Sequence, residues 1–99
     1  MTDSTLIKAS ELLKLLANPI RLQILLLLAD QPSLSGKTIH QLLELDAKTV
    51  AQYLIKLRTK GLLVSRRQGH EVYYSLVNDA LVNFIRQLIG LVEQKLAND

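Results

Sequence analysis

The sequence predicts a mainly α fold with a small β-hairpin, a winged helix-turn-helix: four helices, the hairpin, then a fifth helix. Three observations carry this. Apolar residues recur at three- and four-residue steps along most of the chain, the spacing of helices with one buried face. Leu62 to Arg66 and Glu71 to Leu76 are β-rich and are joined by Arg67-Gln68-Gly69-His70, a hairpin signal. The stretch Asp46 to Leu76 therefore sets a polar-faced helix, a glycine and a basic-tipped hairpin in direct succession.

Ser4 to Ala17 carries Leu6, Ala9, Leu13, Leu16 and Ala17 at helical spacing, with Leu12 widening the stripe. Asn18-Pro19 ends this helix and starts the next. An Asn side chain accepts from the first free amides of a helix, and Pro fits the first helical position, where no amide is needed. The second helix runs to about Asp30. Its middle, Ile24 to Ala29, is apolar all round, as expected of a helix enclosed in the core. Gln31 to Gly36, with Pro32, two serines and Gly36, reads as a loop. Thr38 to about Glu44 is a short third helix with Ile39, Leu42 and Leu43 inward.

Asp46 caps the fourth helix, which runs to Lys60. There Val50, Leu54 and Leu57 form one apolar face, while Lys48, Thr49, Gln52, Tyr53, Lys56 and Lys60 lie mostly elsewhere. Gly61 supplies the left-handed residue that commonly ends a helix. In the second hairpin strand Tyr73 and Tyr74 point to opposite faces, so one belongs to the core and the other to the surface. Asn78 or Asp79 caps the last helix. Its stripe Leu81, Ile85, Leu88, Val92 and Leu96, broadened by Phe84, Ile89 and Leu91, is wide enough to face both its own core and a second subunit.

The 99 residues form one domain, 1–99, too small for separate catalytic and regulatory parts. At 48% hydrophobic, so short a chain has trouble burying its apolar surface alone, and a subunit interface is expected. The absence of cysteine excludes disulfides, thiolate metal sites and thiol nucleophiles. The longest apolar run, Ile24 to Ala29, is far too short to span a membrane. Met1 to Lys8 is polar and carries Asp3, so no signal peptide is read there and a cytoplasmic protein is expected.

The formal net charge is +3, but Lys37 to His70 holds seven Lys and Arg against two acidic residues, a net of +5, which leaves −2 for the rest. A positive segment that coincides with the helix-hairpin pattern points to a polyanion. Catalysis is not expected. His40 and His70 are thirty residues apart, neither sits in an apolar context suited to an oriented base, and no Gly-rich phosphate loop is present. A metal site shared between subunits through His40 or His70 and a carboxylate stays open.

Two segments carry a family resemblance. LLKLLANPIRLQILLLL resembles the opening of the ArsR family of bacterial repressors, a helix broken at Asn/Asp-Pro and followed by Arg-Leu-x-Ile-Leu. TVAQYLIKLRTKGLLVSRRQGHEVYYSL resembles that family's recognition helix and wing. The resemblance implies a homodimeric repressor that binds double-stranded DNA at an inverted-repeat operator and is released by an effector. It also implies that the first and last helices, about 4–17 and 79–97, form the dimer interface, here through Leu6, Leu13, Leu81, Ile85, Leu88 and Val92. Three departures follow. The positions of the family's Cys-x-Cys metal site hold Ser35 and Lys37. Those of its zinc site on the last helix hold Asn78, Ala80, Leu91 and Gln94. Glu44 stands where the turn before the recognition helix commonly has Gly. No cofactor is expected, and the effector is left open: a small molecule between the first and last helices, an unconventional metal, or none.

On this reading, the helix at about 47–60 enters the major groove, where side chains from its first turns reach base edges. Lys48, Thr49, Gln52 and Tyr53 are the base-reading candidates. Gln pairs two-pronged with adenine, Lys reaches guanine acceptors, and the Thr methyl packs on a thymine methyl. Tyr53 alternatively packs along the helix-hairpin seam. Lys56, Lys60 and the wing residues Arg66, Arg67, Gln68 and His70, within about 62–76, are candidates for the backbone or minor groove. A second class of function is a winged-helix dimer that binds protein instead of DNA, against which the basic helix and wing argue.

Overall fold

The computed structural model describes residues 2–98, with side chains for 2–95, so Leu96 of the predicted stripe lies outside the described side chains. The elements run α1 (Asp3–Leu16), α2 (Pro19–Asp30), β1 (Leu34–Ser35), α3 (Gly36–Leu43), α4 (Ala47–Thr59), β2 (Leu63–Gln68), β3 (Glu71–Leu76) and α5 (Asp79–Asn98). The five predicted helices and the hairpin are all present.

Most helix starts have the cap their sequence calls for. Asn18 Oδ1 accepts from the amides of Ile20 (2.9 Å) and Arg21 (3.1 Å), and Pro19 holds the first helical position. Ser35 Oγ accepts from the amide of Thr38 at 3.0 Å, so α3 begins at Gly36, earlier than its apolar spacing indicates. Asn78, not Asp79, caps α5, its Oδ1 accepting from the Leu81 amide at 2.9 Å. Each cap satisfies an amide that has no partner inside its helix.

The core gathers on α2. Ile24, Leu25 and Leu28 are fully enclosed, with Ile39 of α3, Val50, Leu54 and Leu57 of α4, Leu63 of β2, and Ile85 of α5 packed into the same cluster. Leu81 and Ile85 correct the expected dimer interface: both are buried within this chain and present nothing to a second one. The broad stripe of α5 merges two faces. Leu81 and Ile85 point inward, while Phe84, Leu91 and Val92 are exposed and Leu88 is half-buried.

The sheet has three strands in the order β1-β3-β2, all antiparallel. β1 falls in the stretch read as a loop. It pairs Leu34 with Tyr74 and Ser35 with Tyr73, and two residues are too few to show alternation in sequence. β2 also runs further than expected. Arg67 and Gln68 pair with Val72 and Glu71, which leaves a two-residue turn of Gly69 and His70, with Gly69 at φ +65. Tyr74 is the core tyrosine and Tyr73 the outer one, as the alternation requires.

Both helices of the helix-turn-helix end in the same way. At α4, the Leu62 amide donates to Leu57 O and the Gly61 amide to Arg58 O, both at 3.0 Å, with Gly61 left-handed at φ +83. At α3, the Leu45 amide donates to His40 O and the Glu44 amide to Gln41 O, both at 3.2 Å, with Glu44 at φ 57. This is the Schellman ending, which favours glycine at its left-handed position. Glu44 adopts it at a cost, because a Cβ crowds its own carbonyl there. Glu44→Gly relieves that strain but loosens the unfolded chain. Denaturant unfolding is expected to show a net gain of about 1 kcal/mol with unchanged slope. Glu44→Val, β-branched at the same position, is expected to lose stability.

Candidate nucleic-acid interface

Helix α4 is held from its inner side and displays its outer one. Val50, Leu54 and Leu57 are buried, so the helix cannot turn about its axis without exposing them. That fixes Lys48, Gln52, Lys56 and Lys60 in solvent on the opposite side. At its start, Asp46 Oδ1 accepts from the Thr49 amide at 2.8 Å and Oδ2 accepts from the Thr49 hydroxyl at 2.7 Å. These bonds, the hydroxyl first and then the amide, hold the Asp46 carboxyl below its usual 3.8. The Thr49 hydroxyl proton is thus spent on the cap, and what the residue has left to offer a ligand is its methyl group and the acceptor side of its oxygen.

Tyr53 is half-buried, and the Arg21 guanidinium of α2 lies 5.9 Å from its ring centroid. It therefore leans towards α2 and not towards the hairpin seam, while still lining a surface hollow of about 230 Å³ with Thr49, Gln52 and Lys56. Its ring is available from one side only.

In the wing, the pleat separates the two arginines. Arg67 stands opposite Val72, on the sheet face that carries the buried Leu63, Tyr74 and Leu76. Arg66 stands opposite Tyr73 on the outer face, 5.7 Å from its ring centroid, where the ring face attracts the cation. The Tyr73 hydroxyl donates to Glu71 Oε2 at 3.2 Å. Arg67 and Gln68 close β2, and His70 is at the turn; all three are exposed. Arg58 Nη1 donates to Ser65 Oγ at 3.4 Å and links α4 to β2, a role its sequence position does not signal.

The two histidines, distant in sequence, line one pocket of about 460 Å³ between α3, α4 and β3. His40 Nδ1 donates to Leu45 O at 3.2 Å. Among the described residues, no three His, Cys, Asp or Glu side chains are grouped to hold a metal ion. Ser35 and Asn78, two of the positions where the family resemblance looks for metal ligands, do structural work here: Ser35 Oγ and Asn78 Oδ1 each cap a helix. Neither donor set suits a transition metal. Among the described residues no single helix is long and apolar enough to cross a membrane.

No family model matches the chain. Individual relatives do. It is 42% identical over 79 residues to the transcriptional repressor PagR of Bacillus anthracis, covering 80% of this chain and 79% of that one. The chain belongs to the ArsR family. The HTH-type regulator YgaV of Escherichia coli is 33% identical over 81 residues, 82% of each chain. Among solved structures, HlyU of Vibrio cholerae superposes with a TM-score of 0.83 at 36% identity, covering 91% of this chain and 97% of that one. A homodimeric winged helix-turn-helix DNA-binding domain from Mycobacterium bovis gives 0.84 at 27% identity, covering 95% and 89%. These ArsR-type relatives are transcriptional regulators, not enzymes, and the fold here is their winged helix-turn-helix.

In this ArsR-family chain α4 depends on a charged cap, which makes its stability pH-dependent. The folded pKa of Asp46 is depressed, so its contribution is fully present above 3.8 and is lost as pH falls through the folded value. Asp46→Asn keeps one acceptor for the Thr49 amide but removes the second oxygen. Thermal unfolding is expected to show wild type above Asp46→Asn at neutral pH, the gap closing below 3.8. A gap unchanged by pH would remove the carboxylate from this role.

Proposed function

We propose that this chain is a transcriptional repressor that binds an inverted-repeat operator in double-stranded DNA as a homodimer. The α4 segment, about 47–60, lies in the major groove, and the wing, about 62–76, lies on the backbone or in the minor groove. The observation that carries this is the recognition face itself: the first turns of α4 present Lys48 and Gln52 to solvent from a helix locked by its core contacts and its Asp46 cap. Lys56, Lys60, Arg66, Arg67, Gln68 and His70 flank it with positive charge and hydrogen-bonding groups that suit phosphates. Thr49 and Tyr53 contribute a methyl group and a ring edge.

Dimer formation is supported by the apolar surface left over. On α1, Leu6, Ile7 and Leu13 are each more than half exposed, as is Leu91 on α5, with Val92 and Phe84 beside it. The Cα radius of gyration, 14.4 Å, exceeds the roughly 13 Å of a compact chain of this length, as when terminal helices extend towards a partner. The interface we propose is therefore Leu6, Leu13, the half-buried Leu88 and Val92 from the predicted set, with Ile7, Phe84 and Leu91 added and Leu81 and Ile85 removed. Regulation does not run through a Cys- or His-based metal site of the family's familiar kinds, and the regulator works in the cytoplasm.

Selection from a random duplex pool at near-physiological salt tests the reading: it is expected to enrich an inverted repeat. On that repeat, Arg67→Ala is expected to weaken all sequences about equally and to lower the salt slope by about one. Gln52→Ala is expected to lose roughly 1–3 kcal/mol at one base position and to relax preference there. Loss of affinity in the same sequence-blind manner by both variants would overturn this division of roles.

A further inference from the structure

The charge count along the chain leaves a net −2 outside Lys37 to His70, yet the fold returns three cations from the first 21 residues to the recognition side. A groove of about 600 Å³ runs between α1, the start of α2 and the second half of α4. Lys8 and Lys14 of α1, Arg21 of α2, and Lys56 and Lys60 of α4 line it, against the one carboxylate of Glu11. Arg21 and Lys56 also line the hollow that holds Thr49, Gln52 and Tyr53, so the cationic track is continuous with the base-reading face.

Arg21 is held in place. Its Nη1 donates to Leu15 O at 3.1 Å, one of the last carbonyls of α1, and its Nε is buried without a partner among the described residues. Five cations converging on one groove repel one another, and a polyanion seated there relieves that repulsion. Pairing of subunits does not close the groove from α1. At 100° per residue, Leu6 and Leu13 lie on the side of that helix opposite Lys8 and Leu15, while Lys14 sits at the border between the two sides, next to Ile7.

We infer that this groove is a third DNA contact, seating backbone phosphates of the duplex that flanks the base pairs read by α4. The inference rests on the DNA-binding reading above and adds Lys8, Lys14 and Arg21 to the phosphate-contacting set. These contacts carry no sequence information. They lengthen the footprint and steepen the salt dependence.

The test uses Lys8→Gln/Lys14→Gln, two exposed positions on α1, with thermal stability and oligomeric state measured alongside. On a duplex extended beyond the selected repeat, the double variant is expected to bind about tenfold more weakly at near-physiological salt. Its salt slope is expected to be lower by about two, with the selected sequence unchanged. Trimming the duplex to the repeat is expected to weaken wild type and leave the variant nearly unaffected. A Lys8→Arg/Lys14→Arg variant is expected to restore affinity. Equal affinity and slope for wild type and the Gln variant, while Arg67→Ala still loses affinity, would overturn the inference and leave the DNA-binding reading standing. No duplex binding by wild type at all would overturn both. Pyrophosphate binding by calorimetry that the Gln variant loses, with duplex binding unaltered, would give the groove to a small polyphosphate and also overturn the inference.

Discussion

The structure depends on enclosing α2. The middle of that helix, Ile24 to Ala29, is apolar all round, so other elements must gather about it. Helix α5 covers it with Ile85 and Leu81, and the helix-turn-helix and sheet contribute Ile39, Leu54, Leu57 and Leu76 to the same cluster. Enclosure also leaves the helix ends short of partners. No basic residue lies in the last turn of α2, yet Arg86 Nη2 of α5 donates to Ala29 O at 2.7 Å. Arg21 does the same for α1 through Leu15 O. In both cases a cation meets the negative end of a helix, where it is favourable. These two arginines fix how α5 and α1 meet α2, so the placement of the terminal helices follows from the burial of the second.

That burial also sets how the outer face of α4 is shown. Helix α4 buries only a narrow stripe and keeps the rest in water. Its orientation is held by three apolar side chains, its start by Asp46 and its end by Gly61. The wing is tied to it by Arg58 and Ser65. Groups meant to read a groove work best on elements whose own rotamers and ends are already satisfied. Thr49 shows the compromise. The proton of its hydroxyl holds the cap, which leaves the oxygen only an acceptor role towards any ligand.

Features set by neighbouring residues were legible in the sequence. The Asn18-Pro19 break, the Asp46 cap, the Gly61 ending and the apolar middle of α2, Ile24 to Ala29, each follow from a few adjacent side chains, and each stands where the pattern puts it. Features set by distant partners were not. β1 exists only because Tyr73 and Tyr74 pair with it, nearly forty residues away. Leu81 and Ile85 share a stripe with Val92, and only the position of α2 decides which of them turn inward. His40 and His70 gave no hint of a common pocket because the hairpin folds one back over the other's helix. Glu44 is the reverse case. Its place in the family pattern marks a turn position that prefers glycine, and the backbone there is left-handed all the same. The turn geometry is imposed by the Schellman bonds and the packing of α3 on α4, which outweigh the preference of the residue.

Charge is the clearest instance of the limit. Counting along the chain assigns positive potential to residues 37–70 and makes the first helix look neutral, since Asp3 and Glu11 balance Lys8 and Lys14. What a polyanion meets is a face, and a helix sorts its charges by angle and not by order. The 95° bend between α1 and α2 at Asn18 sets the lysine side of α1 beside Lys56 and Lys60. The exposed Leu6 and Leu13 lie opposite Lys8, and Lys14 stands at the border beside the exposed Ile7. One helix thus serves two surfaces, an apolar one suited to a second subunit and a cationic one suited to phosphates. With subunits paired through α1 as proposed, any shift of that helix would move the cationic groove as well, since both surfaces belong to one rigid element.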